Sequence, residues 1–181
     1  MRHPRLFASL ILVTIAATLF TLHARAADAA PLAVGSIAPN FTLPSQDNAP
    51  VSLHSFKGKW VVLYFYPKDK TTGCTIEAHN FQRDQAKYTA ANAAVLGVSL
   101  DTPDSHKSFC TQENLTFKLL ADPSHKVVDT YDVPVNDHMG MKYASRWTYL
   151  IAPDGRIAKV WTKVSVNEHS DEVLAAIAAA K

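Results

Sequence analysis

Two stretches of the chain are apolar at both odd and even positions: WVVLYFY at residues 60–66 and AAVLGVSL at residues 93–100. Such runs are typical of strands that helices cover on both faces of a sheet. Residues 73–90, between them, contain no proline, carry three large apolar side chains and are long enough for a helix. The pattern therefore predicts a strand, a helix and a second strand in succession.

Shorter signals predict further elements on both sides of this unit. Apolar and polar residues alternate at 41–43 and 51–53 around the turn-forming sequence SQDNAP, which predicts a short hairpin. The sequence Thr-Pro-Asp that begins at Thr102 predicts a helix over residues 103–114, because it combines a capping hydroxyl, an early proline and an acid in the first turn. Three of the remaining segments predict strands: LTFKLLAD, RWTYLI and RIAKVWTKV. The segment HKVVDTYDV, after the first of them, predicts a short helix, and PDG predicts a turn between the other two. The last segment, EHSDEVLAAIAAAK, predicts a C-terminal helix.

These elements predict an α/β fold. Strands that alternate with helices and close with a hairpin favour a mostly parallel central sheet with helices on both faces and an antiparallel edge. The chain has 181 residues, of which 48% are hydrophobic, enough for one domain with a full core. We place that domain at residues 39–181. Residues 27–38, ADAAPLAVGSIA, are mostly small and include Pro and Gly, so we expect a flexible connector there.

The first 26 residues have the composition of a secretory leader. The basic sequence MRHPR precedes an uncharged, mainly apolar stretch at residues 6–22, and Ala24-Arg25-Ala26 offers small residues around a cleavage point. This predicts a signal peptide that is cut near Ala26 and a protein exported to the periplasm. The alternative is an uncleaved N-terminal membrane anchor, because the apolar stretch reaches the lower limit for a spanning helix.

The charge of the chain resides mainly in this leader. The full sequence has 18 basic and 16 acidic residues, and residues 1–26 contain three arginines and no acid, which leaves 15 basic against 16 acidic residues. A nearly neutral domain without a Lys/Arg run lacks the electrostatic signature of a nucleic-acid binder. The six histidines that follow the leader form no i, i+4 pair and no clear ligand spacing with an acid, so we expect no metal site. We also expect no cofactor and no stable membrane association.

Cys74 is the candidate reactive residue. It follows the first predicted strand and falls in the first turn of the next helix, so it should lie at the carboxyl edge of the sheet, where open α/β sheets keep their sites. The positive end of a helix stabilises a thiolate, the reactive form of cysteine. A helix end contributes at most about 2 kcal/mol, whereas full ionisation of an ordinary thiol at neutral pH requires ~3 to 4 kcal/mol. A second cation is therefore needed.

The motif Pro67-x-x-x-Thr71-x-x-Cys74 resembles the active-site motif of the peroxiredoxins, which are thiol peroxidases with a thioredoxin-like fold. YFYPKD before the cysteine and Glu77 after it are similar to the bacterioferritin-comigratory, or Q-type, branch. The resemblance extends from APNFTL through VSLD and ADPSHKVVDTYDV to RWTYLIAPDGRI. By this likeness Arg146 corresponds to the active-site arginine of the family and supplies the missing cation.

The resemblance implies a chemical role for each polar residue. Attack of a thiolate on a peroxide builds negative charge on the departing oxygen, so donors aimed at both oxygens lower the barrier. Thr71, the Cys74 backbone N–H and Arg146 are the expected donors. Glu77, one turn beyond the cysteine, is expected to hold the guanidinium of Arg146 by a bidentate pair.

Pro67 and Gly73 complete the predicted site. Pro67 would form a wall of the pocket and restrict water there, and Gly73, directly before the cysteine, is assigned a supporting role. Plain structural alternatives exist. Thr71 or Thr72 can cap the helix, Pro67 can simply end a strand, and Arg146 can be a surface residue of a strand.

The second cysteine departs from the commonest Q-type pattern. Many members carry the resolving thiol five residues after the first, where this chain has His79, whereas Cys110 lies in the helix predicted at 103–114 and resembles a subgroup that resolves from this later helix. A disulfide requires Cα atoms within ~7 Å, so we expect this helix to open locally; its only strongly apolar residues are Phe109 and Cys110. Alternatively, Cys110 is a buried apolar residue and Cys74 works alone or with an outside thiol.

The leader predicts an exported protein, and the resemblance implies a monomeric antioxidant enzyme, a thiol peroxidase for hydrogen peroxide and organic hydroperoxides. Cys74 would become a sulfenic acid, form an intramolecular disulfide with Cys110, and be recycled by a thioredoxin-like or other dithiol reductant. One alternative is a thiol–disulfide oxidoreductase of the cell envelope, although the chain has no Cys-x-x-Cys pair. The other is a non-catalytic binding module stapled by a disulfide, because two cysteines in an oxidising compartment ordinarily form one.

Overall fold

The computed structural model describes residues 30–180 of the chain. The predicted signal peptide and the first residues of the predicted connector lie outside the described residues. In residues 30–180, no helix combines the length and the apolar character that a membrane crossing needs.

Nine strands and five α-helices follow one another along these residues. The strands are β1 (Thr42–Pro44), β2 (Pro50–Ser52), β3 (Trp60–Phe65), β4 (Ala93–Ser99), β5 (Lys118–Ala121), β6 (Val135–His138), β7 (Met141–Ala144), β8 (Trp147–Ile151) and β9 (Ile157–Trp161). The helices are α1 (Thr72–Arg83), α2 (Gln85–Ala90), α3 (Pro103–Glu113), α4 (Lys126–Thr130) and α5 (His169–Ala179).

A central sheet of five strands has the order β5-β4-β3-β8-β9. The pairs β3–β4 and β4–β5 are parallel, whereas β3–β8 and β8–β9 are antiparallel. The α/β fold is confirmed, and the sheet is mixed, with antiparallel pairing that reaches the central strand rather than one edge alone. The hairpin predicted near residues 41–53 is confirmed as the antiparallel pair β1–β2.

Strand β3 is buried along its whole length, as its two-sided apolar sequence predicts. Val61, Leu63 and Phe65 face an apolar cluster that includes side chains of α4 and of the β1–β2 hairpin. Val62 and Tyr64 face the opposite cluster, which includes side chains of α1, α2, α3 and α5. Helices therefore cover both faces of the sheet, and both cysteines belong to the second cluster.

Two elements differ from the prediction. The single helix predicted over residues 73–90 is divided at Asp84 into α1 and α2, and the buried Asp84 ends the first helix with φ −97° and ψ 9°. The β6–β7 hairpin was not predicted, because its residues VNDHMGMKYA lack the regular alternation of apolar and polar positions that marks a half-buried strand.

The predicted domain boundary at residue 39 is too late. The Gly35 N–H donates to the Ile157 carbonyl at 2.7 Å, the Ile157 N–H donates to the Ser36 carbonyl at 2.9 Å, and the Ala38 N–H donates to the Gly155 carbonyl at 2.9 Å. These bonds join the end of the predicted connector to the first residue of β9 and to the turn before it. The fixed part of the domain therefore includes residues 35–38.

Candidate active site

Cys74 is the third residue of α1, directly beyond the loop that follows β3. The first intrahelical hydrogen bond of this region runs from the Thr75 N–H to the Thr71 carbonyl at 2.9 Å, so the N–H groups of residues 72–74 precede it and have no partner within the helix. The Cys74 side chain is buried, with 2% of its surface exposed. A sulfur anion at this position meets the positive end of the helix and is shielded from water, as the sequence predicts.

Arg146 reaches Cys74 from the position directly before β8, the strand that neighbours β3 in the sheet. The antiparallel register pairs Phe65 with Trp147, which places Arg146 beside the loop that leaves β3. Its Nη2 donates to the Cys74 Sγ at 3.2 Å. The structure thus brings together two residues that are 72 positions apart, and the guanidinium supplies the second cation that a thiolate needs.

Glu77 holds the other side of the same guanidinium. Its Oε2 accepts a hydrogen bond from Arg146 Nη1 in an ion pair, while its Oε1 has no hydrogen-bond partner within residues 30–180. The carboxyl is only 1% exposed, and this burial raises the pKa of Glu77 to about 7, against the opposing effect of Arg146. The expected pairing is present, but through one carboxylate oxygen rather than both.

Thr71 lies at the N-cap position of α1, with extended backbone angles, yet its side chain makes no capping bond. Its hydroxyl instead donates to the Lys68 carbonyl at 3.0 Å. Because a hydroxyl has one proton and two lone pairs, the Thr71 oxygen is left as an acceptor. In this geometry the Thr71 oxygen is free to accept a hydrogen bond from a ligand, and its expected role as a donor toward a peroxide stays a prediction.

Pro67 and Gly73 shape the surroundings of the sulfur. Pro67 is the second residue after β3, at the start of the loop, and is half-buried. A Cβ built on Gly73 would lie 3.5 Å from Arg146 Nη2, an ordinary contact distance. A Cβ would therefore fit beside the guanidinium, and the supporting role assigned to Gly73 stays a prediction.

Cys110 lies in the eighth position of α3, on the same apolar cluster as Cys74, and neither thiol is bonded to another. Its side chain is 8% exposed, and burial raises the pKa of the Cys110 thiol to about 12. A thiol in this state is a poor nucleophile. Cys110 therefore needs a change of environment before it can attack a partner.

A buried polar cluster behind the site was missed by the sequence reasoning. It comprises Tyr66 and Asp69 in the loop after β3, and Ser105 and His106 at the start of α3. The sequence holds one signal for it: His106 lies one turn before Cys110, on the face of α3 that is buried. A histidine in that position needs a buried partner, and the acidic residue of YFYPKD is the partner.

The sequence model of the AhpC/TSA family matches residues 34–160 of the chain. Peroxiredoxin Bcp of Bacillus subtilis is 40% identical over 144 residues, 78% of this chain and 92% of the relative. Peroxiredoxin Bcp of Escherichia coli K12 is 39% identical over 147 residues, 80% of this chain and 94% of the relative.

Solved structures of the same group share the fold. A cysteine-to-serine mutant of PrxQ from Xylella fastidiosa superposes with a TM-score of 0.78 and 32% identity, covering 83% of this chain and 98% of that one. The Xanthomonas campestris bacterioferritin comigratory protein, described for its alkyl peroxide reduction activity, has a TM-score of 0.72 and 33% identity over 77% of this chain and 91% of its own. The chain therefore belongs to the AhpC/TSA family and, within it, to the peroxiredoxins of the Bcp and PrxQ group.

Proposed function

We propose that this peroxiredoxin reduces hydrogen peroxide and organic hydroperoxides with Cys74 as the attacking residue. One observation carries the proposal: the Arg146 guanidinium contacts the Cys74 sulfur at 3.2 Å while Glu77 holds its other side. Such a guanidinium stabilises the thiolate before the reaction and remains available to the peroxide oxygens during it. The alkyl peroxide reduction described for the Xanthomonas relative supports the inclusion of organic hydroperoxides.

In the first step the Cys74 thiolate attacks one oxygen of the hydroperoxide. A sulfur–oxygen bond forms, the O–O bond breaks, and the leaving oxygen departs as an alkoxide or hydroxide that takes a proton from solvent water to become an alcohol or water. Arg146 and the free N–H groups at the start of α1 face the charge that develops, and the Thr71 oxygen accepts a hydrogen bond from the O–H of the hydroperoxide. The product on the enzyme is a Cys74 sulfenic acid.

In the second step we assign the resolving role to Cys110. Its thiol attacks the sulfenic sulfur, a disulfide forms, and the displaced hydroxide leaves as water with the proton of the Cys110 thiol. A thioredoxin-like or other dithiol reductant then returns both cysteines to the thiol form. The shared apolar cluster of the two cysteines supports this assignment, together with the position of Cys110 in a helix that has few apolar anchors.

The test is rapid-mixing kinetics on the reduced protein of residues 27–181, with hydrogen peroxide and with cumene hydroperoxide. We expect Cys74→Ser to abolish peroxide consumption and Arg146→Ala to slow it by roughly 10²- to 10³-fold, as loss of a charge-stabilising donor does. Arg156→Ala is the matched control, because Arg156 is exposed and bonds the Gly35 carbonyl rather than the site. Wild-type kinetics in Arg146→Ala, or faster reaction with protein disulfides than with peroxides, would contradict the proposal.

We also propose that the protein is exported to the periplasm as a monomer. The basic, apolar and small-residue order of residues 1–26 supports export, and the resemblance to the Q-type branch supports the monomer. Mass spectrometry of the periplasmic fraction should find a chain that begins near Ala27, and sedimentation of that chain should give the mass of one copy. A full-length chain in the membrane fraction would instead favour the N-terminal anchor.

A further inference from the structure

The loop that carries the site is tied to α3 by a buried set of polar side chains. We call Tyr66, Asp69, Ser105 and His106 the Asp69 cluster. The Asp69 carboxylate accepts hydrogen bonds from the Tyr66 hydroxyl at 2.7 Å and from the Ser105 hydroxyl at 2.7 Å, and it lies 2.9 Å from His106 Nδ1. Two residues of the loop are thereby joined to two residues in the first turn of the helix that carries Cys110.

The cluster is shielded from water. The His106 side chain is fully buried and the Asp69 side chain is 2% exposed, so the bonds of Asp69 to Tyr66 and His106 are made away from solvent. The bond from the Ser105 hydroxyl is partly buried. Burial raises the pKa of the Asp69 carboxyl, but hydrogen bonds and charge from His106 outweigh it and hold the pKa below its ordinary value. A buried carboxylate that loses such partners is left with an uncompensated charge, which is strongly unfavourable.

Helix α3 has few other strong anchors. Its only buried apolar side chains are Phe109 and Cys110. At its C-terminal end, Glu113 forms an ion pair with the half-exposed His79 of α1 at 2.8 Å. Pairs of this exposed kind contribute little. Lys70 of the loop also donates to the Ser108 hydroxyl of α3 at 2.8 Å, but that bond is exposed, so the Asp69 cluster is the main buried polar restraint on the opening of α3.

Opening of α3 is what the second step of the proposed reaction requires. Cys74 and Cys110 are not bonded to each other, and each is buried within its own helix, so we expect the resolving thiol to leave α3 in order to form the disulfide. His106 lies one turn before Cys110 on the same buried face. Cys110 is thus released when the bonds of His106 and Ser105 to Asp69 are broken.

We propose that the Asp69 cluster is a latch that holds α3 closed and sets the rate at which Cys110 reaches the oxidised Cys74. This inference rests on the proposed resolving role of Cys110. Ser105 and His106 are positioning residues, because they touch neither the peroxide nor a reacting sulfur. A tight latch lengthens the life of the sulfenic acid, which a second peroxide can then oxidise to the sulfinic acid with release of water or alcohol.

The test compares Ser105→Ala with the wild type in a single turnover. The variant loses one hydrogen bond to the buried carboxylate and keeps the Ser105 N–H that caps the helix through Thr102. We expect disulfide formation after the peroxide step to be about tenfold faster, corresponding to ~1.4 kcal/mol of lost restraint. Amide exchange of residues 104–113 in the reduced protein should accelerate by a similar factor, while the rate of the peroxide step stays the same.

Two further variants provide a stronger disruption of the cluster and a control. His106→Leu should accelerate disulfide formation more than Ser105→Ala does. If His106→Leu does not fold, Ser105→Ala still tests the proposal. Thr111→Ala is the matched control, because its exposed hydroxyl bonds only the Lys107 carbonyl of the same helix; it should leave the rate of disulfide formation unchanged. The peroxide concentration that converts half of Cys74 to sulfinic acid should rise about tenfold in Ser105→Ala and stay constant in the control.

The outcomes separate the two proposals. If the wild type forms no internal disulfide after one equivalent of peroxide, the resolving role of Cys110 fails, and the latch fails with it. If the wild type forms the disulfide, but Ser105→Ala forms it at the same rate or more slowly, the latch alone is overturned. A faster disulfide step with unchanged sulfinic acid formation would also overturn it, because the sulfenic acid lifetime would not depend on α3.

Discussion

At the scale of single residues, the site depends on how one guanidinium is held. Arg146 faces the Cys74 sulfur with one nitrogen and Glu77 with another, so its charge is shared between a reacting atom and a fixed partner. The Glu77 carboxyl is buried and one of its oxygens is unpartnered. Ionisation of such a group costs stability. We interpret Glu77 as a residue that costs the fold free energy in order to position Arg146.

This cost predicts a pH-dependent difference in stability between the wild type and Glu77→Gln. Burial raises the pKa of Glu77 to about 7, so the folded protein binds this proton more tightly than the unfolded chain does. The favourable contribution of the proton is complete below pH ~4.5 and is lost as the pH rises through about 7. As the pH rises from 4 to 8, the free energy of unfolding of the wild type should therefore fall relative to that of Glu77→Gln, by on the order of 3 kcal/mol at most.

Urea unfolding from pH 4 to pH 8 measures this difference. Glu168→Gln serves as the control, because Glu168 is exposed and precedes α5. Its difference from the wild type should not change with pH. A constant difference for Glu77→Gln as well would show that the buried carboxyl ionises in the folded protein as it does in the unfolded chain.

The residues of the site were predictable to the extent that their spacing is local. Cys74 follows a strongly apolar strand and lies in the first turn of a helix. The positive end of that helix favours a thiolate there, independently of residues elsewhere in the chain. Arg146 was identified only through family resemblance, because its contact with the sulfur depends on the register of two strands. Asp69 and His106 lie 37 positions apart, and no local pattern indicates that they meet.

At the scale of elements, Asp84 divides the helix that the sequence predicts as one. Its buried carboxylate accepts hydrogen bonds from Arg83 at 2.5 Å and from the Ser170 hydroxyl at 2.8 Å, and it pairs with Lys87 at 2.8 Å. These bonds join α1, α2 and α5 at one point. The apolar spacing of residues 73–90 does not show this junction, because its cause is a polar contact with a helix 86 residues away.

We predict that Asp84→Asn destabilises the protein at pH 7 by ~2 to 3 kcal/mol, the range for hydrogen bonds between charged groups. The bond from Arg83 leads the effects that hold the pKa of Asp84 well below its ordinary range, so the folded state favours the ionised carboxyl. Its contribution is present above pH ~3.8 and is lost as the pH falls further. Denaturation by urea at pH 7 and at pH 3 should show the loss and its decrease.

Asp171→Asn is the control for this prediction. Asp171 lies 3.4 Å from the same Arg83, but its side chain is 64% exposed. Exposed pairs contribute roughly 0 to 1 kcal/mol, so this variant should stay near wild-type stability. Equal losses in the two variants would mean that burial and the bond to Ser170 contribute nothing at Asp84.

Close contact between elements also makes a glycine necessary in β4. The register places Gly97 between Tyr64 of β3 and Leu119 of β5, and a Cβ there would come within 2.7 Å of atoms of both. We predict that Gly97→Ala destabilises the protein by ~1 to 3 kcal/mol through overpacking. Gly73→Ala is the matched control: its Cβ meets Arg146 at an ordinary 3.5 Å, so its midpoint in urea should stay at or above that of the wild type.

The elements themselves follow from their sequences to an uneven degree. Strands β3 and β4 were predicted because both of their faces are apolar, and α3 because Thr102 caps it, as its side chain does by accepting a bond from the Ser105 N–H at 3.3 Å. The β6–β7 hairpin was missed because it is largely exposed, so no buried face imposes a pattern on it. Local sequence predicts an element when burial dictates its residues.

At the scale of the whole molecule, the N-terminal residues complete the side of the sheet that ends in β9. Backbone bonds join residues 35–38 to Gly155 and Ile157, and the Leu32 N–H donates to the Tyr149 hydroxyl at 3.3 Å. The small residues of this segment suggested flexibility, yet small side chains also allow a chain to run close to a strand. Composition alone does not distinguish a flexible segment from one that is bonded to a strand, because the outcome depends on whether a strand with free backbone groups lies beside it.

A pair of truncations tests where the domain begins. A chain that starts at Pro39 loses the three backbone bonds of residues 35–38 and uncovers the buried Ala38 contact, so its free energy of unfolding should fall by roughly 2 to 4 kcal/mol. A chain that starts at Pro31 keeps these bonds and the Leu32 contact, and should match the chain that starts at Ala27. Urea unfolding of the three proteins measures the difference. Equal stability for the chains that start at Pro39 and Ala27 would show that the domain begins at residue 39. It would also show that the bonds to Gly155 and Ile157 contribute nothing to the free energy of unfolding.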